Sequence, residues 1–252
     1  MTLESSPARS AYEPGAFDAS FSSEAVAEAM RAVSPTSHAA AEAFWKVPFS
    51  GGRLTPRMKE LIYFAMHAAT SALNVDAIAR QVDRILAAGG TREDIVDVLI
   101  SIVGLANHAL YASVPVLEEE WAAAGMATDD IRDDDPVLEA AKRRFIEVRG
   151  FWNPDRDAVA RQMPAYFAAL TDISTESWRR GTLTRKEREF ICIAIDCTVT
   201  HTYPPGLRLH IRNAISEGAS KAEILEIFQL AALMGLEGYV LTAEAMFGRR
   251  AP

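Results

Sequence analysis

Leu183-Thr184-Arg185-Lys186-Glu187-Arg188-Glu189-Phe190-Ile191-Cys192-Ile193-Ala194-Ile195-Asp196 is the run whose reading decides the fold. Taken alone, its centre from Phe190 to Ile195 is a continuous apolar stretch of the kind that fills a buried strand. An earlier run, opening Leu54-Thr55-Pro56-Arg57-Met58-Lys59-Glu60, lies over it at a constant offset of 129 residues, and the overlay extends without a gap to Leu117 and Met246. In that earlier run Met58, Leu61, Ile62, Ala65 and Ala69 recur at helical spacing, so both runs are read as helices. Gly89 matches Gly218 and Ile95 matches Ile224 at the same offset. Each copy reads as a Leu-Thr helix start, an apolar helix with a carboxylate in its second turn, a second helix, a glycine and a third apolar helix. A duplicated helical unit buries its apolar faces against its twin, which puts any pocket at a seam between copies or subunits.

Working outward, Thr55 is a good N-cap with Pro56 at the first helical position. Asp76 can cap a second helix carrying Ile78, Val82, Ile85 and Leu86, which stops at Gly89-Gly90. A third starts near Thr91, and a fourth runs from His108 to Ala124 before Gly125. Upstream, short helices are expected over Ser23–Val33 and Ser37–Val47, the latter broken by Pro48 and the following glycines. Residues 1 to about 22 are rich in Ser, Ala, Pro and Gly and read as a loose tail or an arm reaching a neighbouring subunit. The acidic run Asp129-Asp130-Ile131-Arg132-Asp133-Asp134-Asp135 lacks the ligand spacing and turn glycine of a hard-cation loop. It reads as a solvated linker, with Asp135 capping a helix that begins at Pro136 and ends near Val148. A further helix ends near Leu170. In the second copy Thr184 and Glu187 form a capping-box pattern, Pro205-Gly206 precedes a helix ended by Gly218, another starts at Ser220, and the last spans Glu237 to Phe247. Nothing alternates with period two, so the fold class is all-α. The expected organisation is an arm over residues 1–35, a first unit over 36–128, and linker helices with a second unit over 129–252.

Composition narrows the function. With 49% hydrophobic residues, a chain of 252 residues has ample material for a core. A formal charge of −8 and no basic stripe argue against a nucleic-acid partner. No apolar run approaches the roughly 20 residues of a bilayer-spanning helix, and the first residues lack the apolar core of a secretory signal. A cytoplasmic protein with no membrane partner is expected. The two cysteines, Cys192 and Cys197, diverge on one helix and cannot form a disulfide together; reduced thiols suit that compartment.

The run from Leu183 to Asp196, a polar loop, and the run from Leu207 to Gly235 together resemble the carboxymuconolactone decarboxylase family, whose fold is shared with alkylhydroperoxidase-D-like proteins. The family pattern has a Glu on its first helix, a His on the second, a Gly, and an acidic residue at the start of the third. Here these are Glu189, His210, Gly218 and Glu223. The first copy has Glu60, Gly89 and Asp94, but Gln81 at the His position. The whole chain resembles tandem members carrying two units. The peroxidase branch carries Cys-x-x-Cys just ahead of the His; Tyr203 and Gly206 stand there in this chain, and Asn74 and Ala77 in the first copy, which argues against thiol peroxidase chemistry.

Glu189, Ile193 and Asp196 fall on one helical face, with His210 on the next, antiparallel helix. A turn near Val199-Thr200 puts His210 opposite Glu189, and one nearer Thr202-Tyr203 puts Asp196 there. Either carboxylate would fix the ring's tautomer and raise its pKa, as a general acid or base requires. His201 and Tyr203 add an imidazole and a phenol nearby, as candidate substrate-binding groups. Arg208 and Arg212 point to another face and suit salt bridges or a subunit contact. His67 and His108 sit on apolar faces and read as core or interface residues. The resemblance implies cofactor-free decarboxylation, or a related lyase or isomerase step, on a small oxo-acid or lactone carboxylate. His210 would be the proton donor, oriented by Glu189 or Asp196, with Tyr203 or His201 stabilising an oxyanion. No metal and no cofactor are expected, because the chain has no phosphate loop or spaced His cluster. Single-unit relatives form rings, so a homo-oligomer is implied, a trimer by halving. The alternatives are an alkylhydroperoxidase-like oxidoreductase, which requires a reactive thiol, and a non-catalytic binding protein of the same fold.

Overall fold

The computed structural model describes residues 13–126, 135–154 and 156–248. After a 3-10 turn at Phe17–Ser20, the helices are α1 (Glu24–Val33), α2 (Pro35–Ser50), α3 (Pro56–Ala68), α4 (Val75–Ala87), α5 (Arg92–Val103), α6 (His108–Ala123), α7 (Pro136–Arg149), α8 (Arg156–Gln162), α9 (Pro164–Arg180), α10 (Arg185–Cys197), α11 (Pro204–Ser216), α12 (Lys221–Ala232) and α13 (Glu237–Phe247). The 3-10 turns Gly104–Asn107 and Leu233–Leu236 join α5 to α6 and α12 to α13. No strand occurs among the described residues, and the fold is all-α. The first residues of α3, α4 and α5 are Pro56, Val75 and Arg92, and those of α10, α11 and α12 are Arg185, Pro204 and Lys221, each 129 positions on.

Two compact units divide the chain, one formed by Met1–Ile95 with Lys186–Pro252, the other by Val96–Arg185. In the first unit, every residue of α3 from Met58 to His67 is buried, as is every residue of α10 from Arg188 to Asp196. A helix covered on all sides shows no polar stripe, which is why Phe190–Ile195 has the composition of a strand. Thr55 caps α3 by accepting the Met58 N–H, and Pro56 opens it. After α3 and α10 the chain turns through non-glycine residues in the left-handed region, Leu73 and Thr202, both at φ 42°. The Asn74 and Tyr203 amides close these turns onto the His67 and Asp196 carbonyls, at 3.0 and 2.9 Å. Gly89 and Gly218, at φ 85° and 84°, end α4 and α11 in the conformation that favours glycine.

Charged residues are drawn into this core as pairs. The Lys59 ammonium donates to the Pro48, Phe49 and Gly51 carbonyls at the end of α2, where a helix end favours a cation. It also pairs with Glu226 of α12 at 3.1 Å. Glu226 Oε2 accepts the Leu54 amide at 2.7 Å, so α12 is fastened to the entry of α3.

Local expectations shift in four places. The stretch expected as a loose tail is packed from Phe17 onward: Phe17 and Phe21 are buried and contact His38 and Tyr239, and α1 lies along α13. Helix α2 continues through Pro48 to Ser50, held at its end by Lys59. Asn74, rather than Asp76, caps α4. The helix expected to end near Leu170 is two helices, and the second, α9, runs on to Arg180.

In the second unit α9 packs along α7, and α6 against α8. The core holds Tyr111, Val114, Leu138, Phe145 and Phe167. Asp135 caps α7 by accepting the Val137 and Leu138 amides; Asp129 to Asp134 of the acidic run lie outside the described residues. Two continuous helical runs, Arg92–Ala123 and Lys221–Phe247, have the length and hydropathy to cross a membrane, although no unbroken apolar stretch of that length occurs in the sequence. The second is built into the first unit's core through Glu226 and Glu237, which pair there with Lys59 and Arg80.

Candidate active site

Helix α10 supplies one wall of the candidate site. Glu189 and Asp196, two turns apart on one face, are 2% and 1% exposed. His210 comes from α11 and lies across that face at 6% exposure. Its Nδ1 is 2.6 Å from Glu189 Oε2 and its Nε2 is 4.0 Å from Asp196 Oδ2. The sequence left open which carboxylate faces the imidazole; both do, one on each ring nitrogen. Asn213, one turn after His210, donates to Glu189 Oε1 at 3.2 Å. The ring and this amide therefore hold both oxygens of Glu189.

Electrostatics divide the roles. Burial alone would lower the His210 pKa, but the adjoining Cys192 and the hydrogen-bonded Glu189 carboxylate outweigh it and push it up to about 10. The ring is then an imidazolium at neutral pH, donating to Glu189. Asp196 is pushed up to about 7, first by burial and then by Glu189, against the pull of His210. A carboxyl group titrating near neutrality beside a protonated imidazole sets a group that changes charge near physiological pH next to a proton donor.

The loop after α10 completes the surroundings. His201 Nε2 lies 3.7 Å from Asp196 Oδ1, and burial lowers its pKa. The Tyr203 ring stands edge-on to His201 with centroids 6.4 Å apart. A Cβ at Gly206 would collide with Asp196 Oδ2 and lie 2.7 Å from Tyr203 Cδ1, so only glycine lets both side chains keep these positions. Asp196 Oδ1 and His201 Nε2, 3.7 Å apart, are an oxygen and a nitrogen of the kinds a divalent cation uses. Arg208 and Arg212 are exposed on α11, away from this cluster.

The structure thus gathers all five residues expected from the sequence. Three others went unassigned. Asn213 is signalled by its i+3 spacing from His210, and Cys192 by its place between Glu189 and Asp196 on one stripe. Gly206 had no signal, since the atom it makes room for comes from another helix.

The matching positions of the first half are arranged differently. Glu60 is held by Arg84, with Nε to Oε2 at 3.0 Å and Nη2 to Oε1 at 2.8 Å, and Gln81 stands buried at the place of His210. His67, fully buried, lies 3.3 Å from Glu237 of α13. Glu237 also receives Arg80, Asn74 and Tyr63. Burial would raise its pKa, but His67 and Arg80 overcome that and bring it to about 2. This is a buried ionic cluster centred on Glu237.

An all-α chain of this topology, with a buried Glu-His pair across a helix hairpin, is a protein of the alkylhydroperoxidase-D-like fold. The sequence profile of the carboxymuconolactone decarboxylase family matches residues 164–245. A solved structure from Burkholderia xenovorans LB400, provisionally described as a gamma-carboxymuconolactone decarboxylase subunit, superposes with a TM-score of 0.83 at 30% sequence identity, covering 89% of this chain and 90% of that one. No curated protein matches the chain significantly. The chain belongs to the carboxymuconolactone decarboxylase family.

Proposed function

We propose that this protein is a cofactor-free decarboxylase, or a related lyase, acting on a small oxo-acid or lactone carboxylate, with His210 as the source of the proton. The observation that carries the reading is the buried Glu189–His210–Asp196 array, with Nδ1 of the ring 2.6 Å from one carboxylate and Nε2 4.0 Å from the other. Loss of carbon dioxide leaves an electron pair on carbon as an enolate, which needs a stabilising charge and then a proton. The imidazolium supplies both, and Glu189 holds it in position. Asp196 in its neutral form adds an O–H donor for the developing oxyanion without repelling an anionic substrate. Tyr203 and His201 border the same space from the loop.

The test is carbon dioxide release from a panel of lactone acids and β-keto acids. Wild-type chain should release it from at least one member, and His210→Ala should slow that release about a hundredfold or more. An equal rate in the variant removes the reading. The rate should fall as pH rises through about 7, where Asp196 ionises. Asp196→Asn, a neutral hydrogen-bond donor at every pH, should keep much of the acid-side rate and lose that fall. Homo-oligomeric assembly, as a trimer, belongs to the same proposal. The apolar residues Val96, Leu99 and Val103 exposed along α5 support it, and sedimentation should give three times the chain mass of 27.5 kDa.

A further inference from the structure

Glu60, Gln81 and Arg84 in the first half stand at the same register as Glu189, His210 and Asn213 in the second, 129 positions apart. In each half the glutamate comes from one helix and the other two come from the next, three residues apart and so on one face. Both glutamates are buried. In the second half the cation is the ring, with Nδ1 2.6 Å from Glu189 Oε2, and the Asn213 amide donates to Oε1 at 3.2 Å. In the first half the order is reversed. Gln81, a buried amide, holds the earlier position, and the Arg84 guanidinium at the later one donates to both oxygens of Glu60, at 3.0 and 2.8 Å. Each half thus sets one carboxylate, one cation and one carboxamide together, with cation and amide exchanged.

The exchange has a chemical consequence. A carboxylate out of water balances one cation, and a second would leave net charge buried without a counter-charge. A guanidinium does not give up its proton, so an imidazole sharing a buried glutamate with it is the group that must go neutral. An amide fastens the carboxylate without competing for its charge. We propose that Asn213 is the positioning residue of the site: its neutral amide fixes Glu189 and leaves that carboxylate's charge to His210, whereas Arg84 takes the charge of Glu60 and leaves the first half without a proton donor. The catalytic side of this rests on the decarboxylase reading; the exchange of cation and amide does not need it.

Proton NMR titration of the imidazoles in the full chain tests the exchange without a substrate, with His210 assigned by its loss in His210→Gln. Asn213→Arg should lower the His210 pKa by about 1–3 pH units. A residue of packing value alone would move the melting temperature in this variant and leave that titration in place, an outcome that overturns the proposal. An unfolded Asn213→Arg chain overturns it too, because the first half shows a guanidinium seated on the same glutamate register. In the reverse direction, Gln81→His combined with Arg84→Asn should add an imidazole that titrates above the ordinary value of about 6.5; one at or below that value contradicts the exchange. With the panel acid that releases carbon dioxide, Asn213→Arg should slow release at neutral pH about a hundredfold, with the rate recovering as pH falls through the lowered pKa. A lowered pKa with undiminished release at neutral pH removes the decarboxylase reading, whereas an unchanged pKa removes the role of Asn213 and leaves that reading standing.

Discussion

At neutral pH His210 carries its charge almost entirely out of water, and the fold depends on that charge. Its folded pKa, near 10, lies above the ordinary histidine value of about 6.5. The folded chain therefore holds this proton where the unfolded chain has lost it. The resulting stabilisation is complete below about pH 6.5 and is lost as pH rises toward 10. Asp196 acts in the same direction from a lower window. Its folded pKa of about 7, against the ordinary aspartate value of about 3.9, means that its ionised form is disfavoured in the fold, so stability declines as pH rises between those values. The melting temperature should accordingly fall steadily between pH 7 and pH 10, and His210→Gln should flatten that fall. A profile of wild-type slope in the variant, read by calorimetry, would refute the assignment. The members of this site that helical spacing exposed were Glu189, Asp196 and His210, because the periodicity of α10 and α11 reports which side chains share a face. Cys192 and Asn213 share those faces, but their types did not distinguish them from packing residues. Gly206 was illegible because its purpose is set by the Asp196 side chain, across a hairpin.

The same helix hairpin, α3 with α4, is used in the first half to hold an ion pair. Glu60 is fully buried and Arg84 nearly so, joined by two hydrogen bonds, with the guanidinium over the Trp45 and Phe49 rings. Removing one partner of such a pair costs more than removing both, because a charge remains in the core without its counter-charge. Arg84→Met should destabilise the chain by about 3–5 kcal/mol, and Glu60→Gln added to it should recover part of that loss. Chemical denaturation of the single and double variants checks this, and a double variant no more stable than the single would show that the pair is not what stabilises the hairpin. Neither change should affect carbon dioxide release at His210. At this scale the sequence was most readable at helix starts. Thr55 and Asp135 act through bonds within three residues, which local sequence specifies; the Ser220–Glu223 capping box is equally local and came to light only in the structure. The run of α2 through Pro48 was not readable, because the Lys59 ammonium that gathers its terminal carbonyls arrives from the next helix.

Across the whole chain, sequence order and packing do not coincide. The overlay of the two copies invites a cut between residues 128 and 129, yet α12 of the later half packs on α3 of the earlier one and α13 packs on α1. Glu226 of α12 supplies both the counter-charge of the buried Lys59 and the acceptor for the Leu54 amide. Glu237 of α13 pairs with Arg80 and accepts from Tyr63. A fragment of residues 1–128 would retain Lys59, buried in the first turn of α3, without its carboxylate. It would also expose Phe17 and Phe21, which pack on Tyr239. An unpaired buried ammonium alone costs several kcal/mol, a large share of the roughly 5–15 kcal/mol that keeps a domain folded. Expressed separately, residues 1–128 should therefore be unfolded or aggregated by circular dichroism and light scattering. Co-expression with residues 129–252 should recover a folded complex, since the missing helices return without a covalent link. A cooperative thermal transition in the 1–128 fragment alone would mean that the pairings with α12 and α13 are dispensable, and that each half is a domain in its own right.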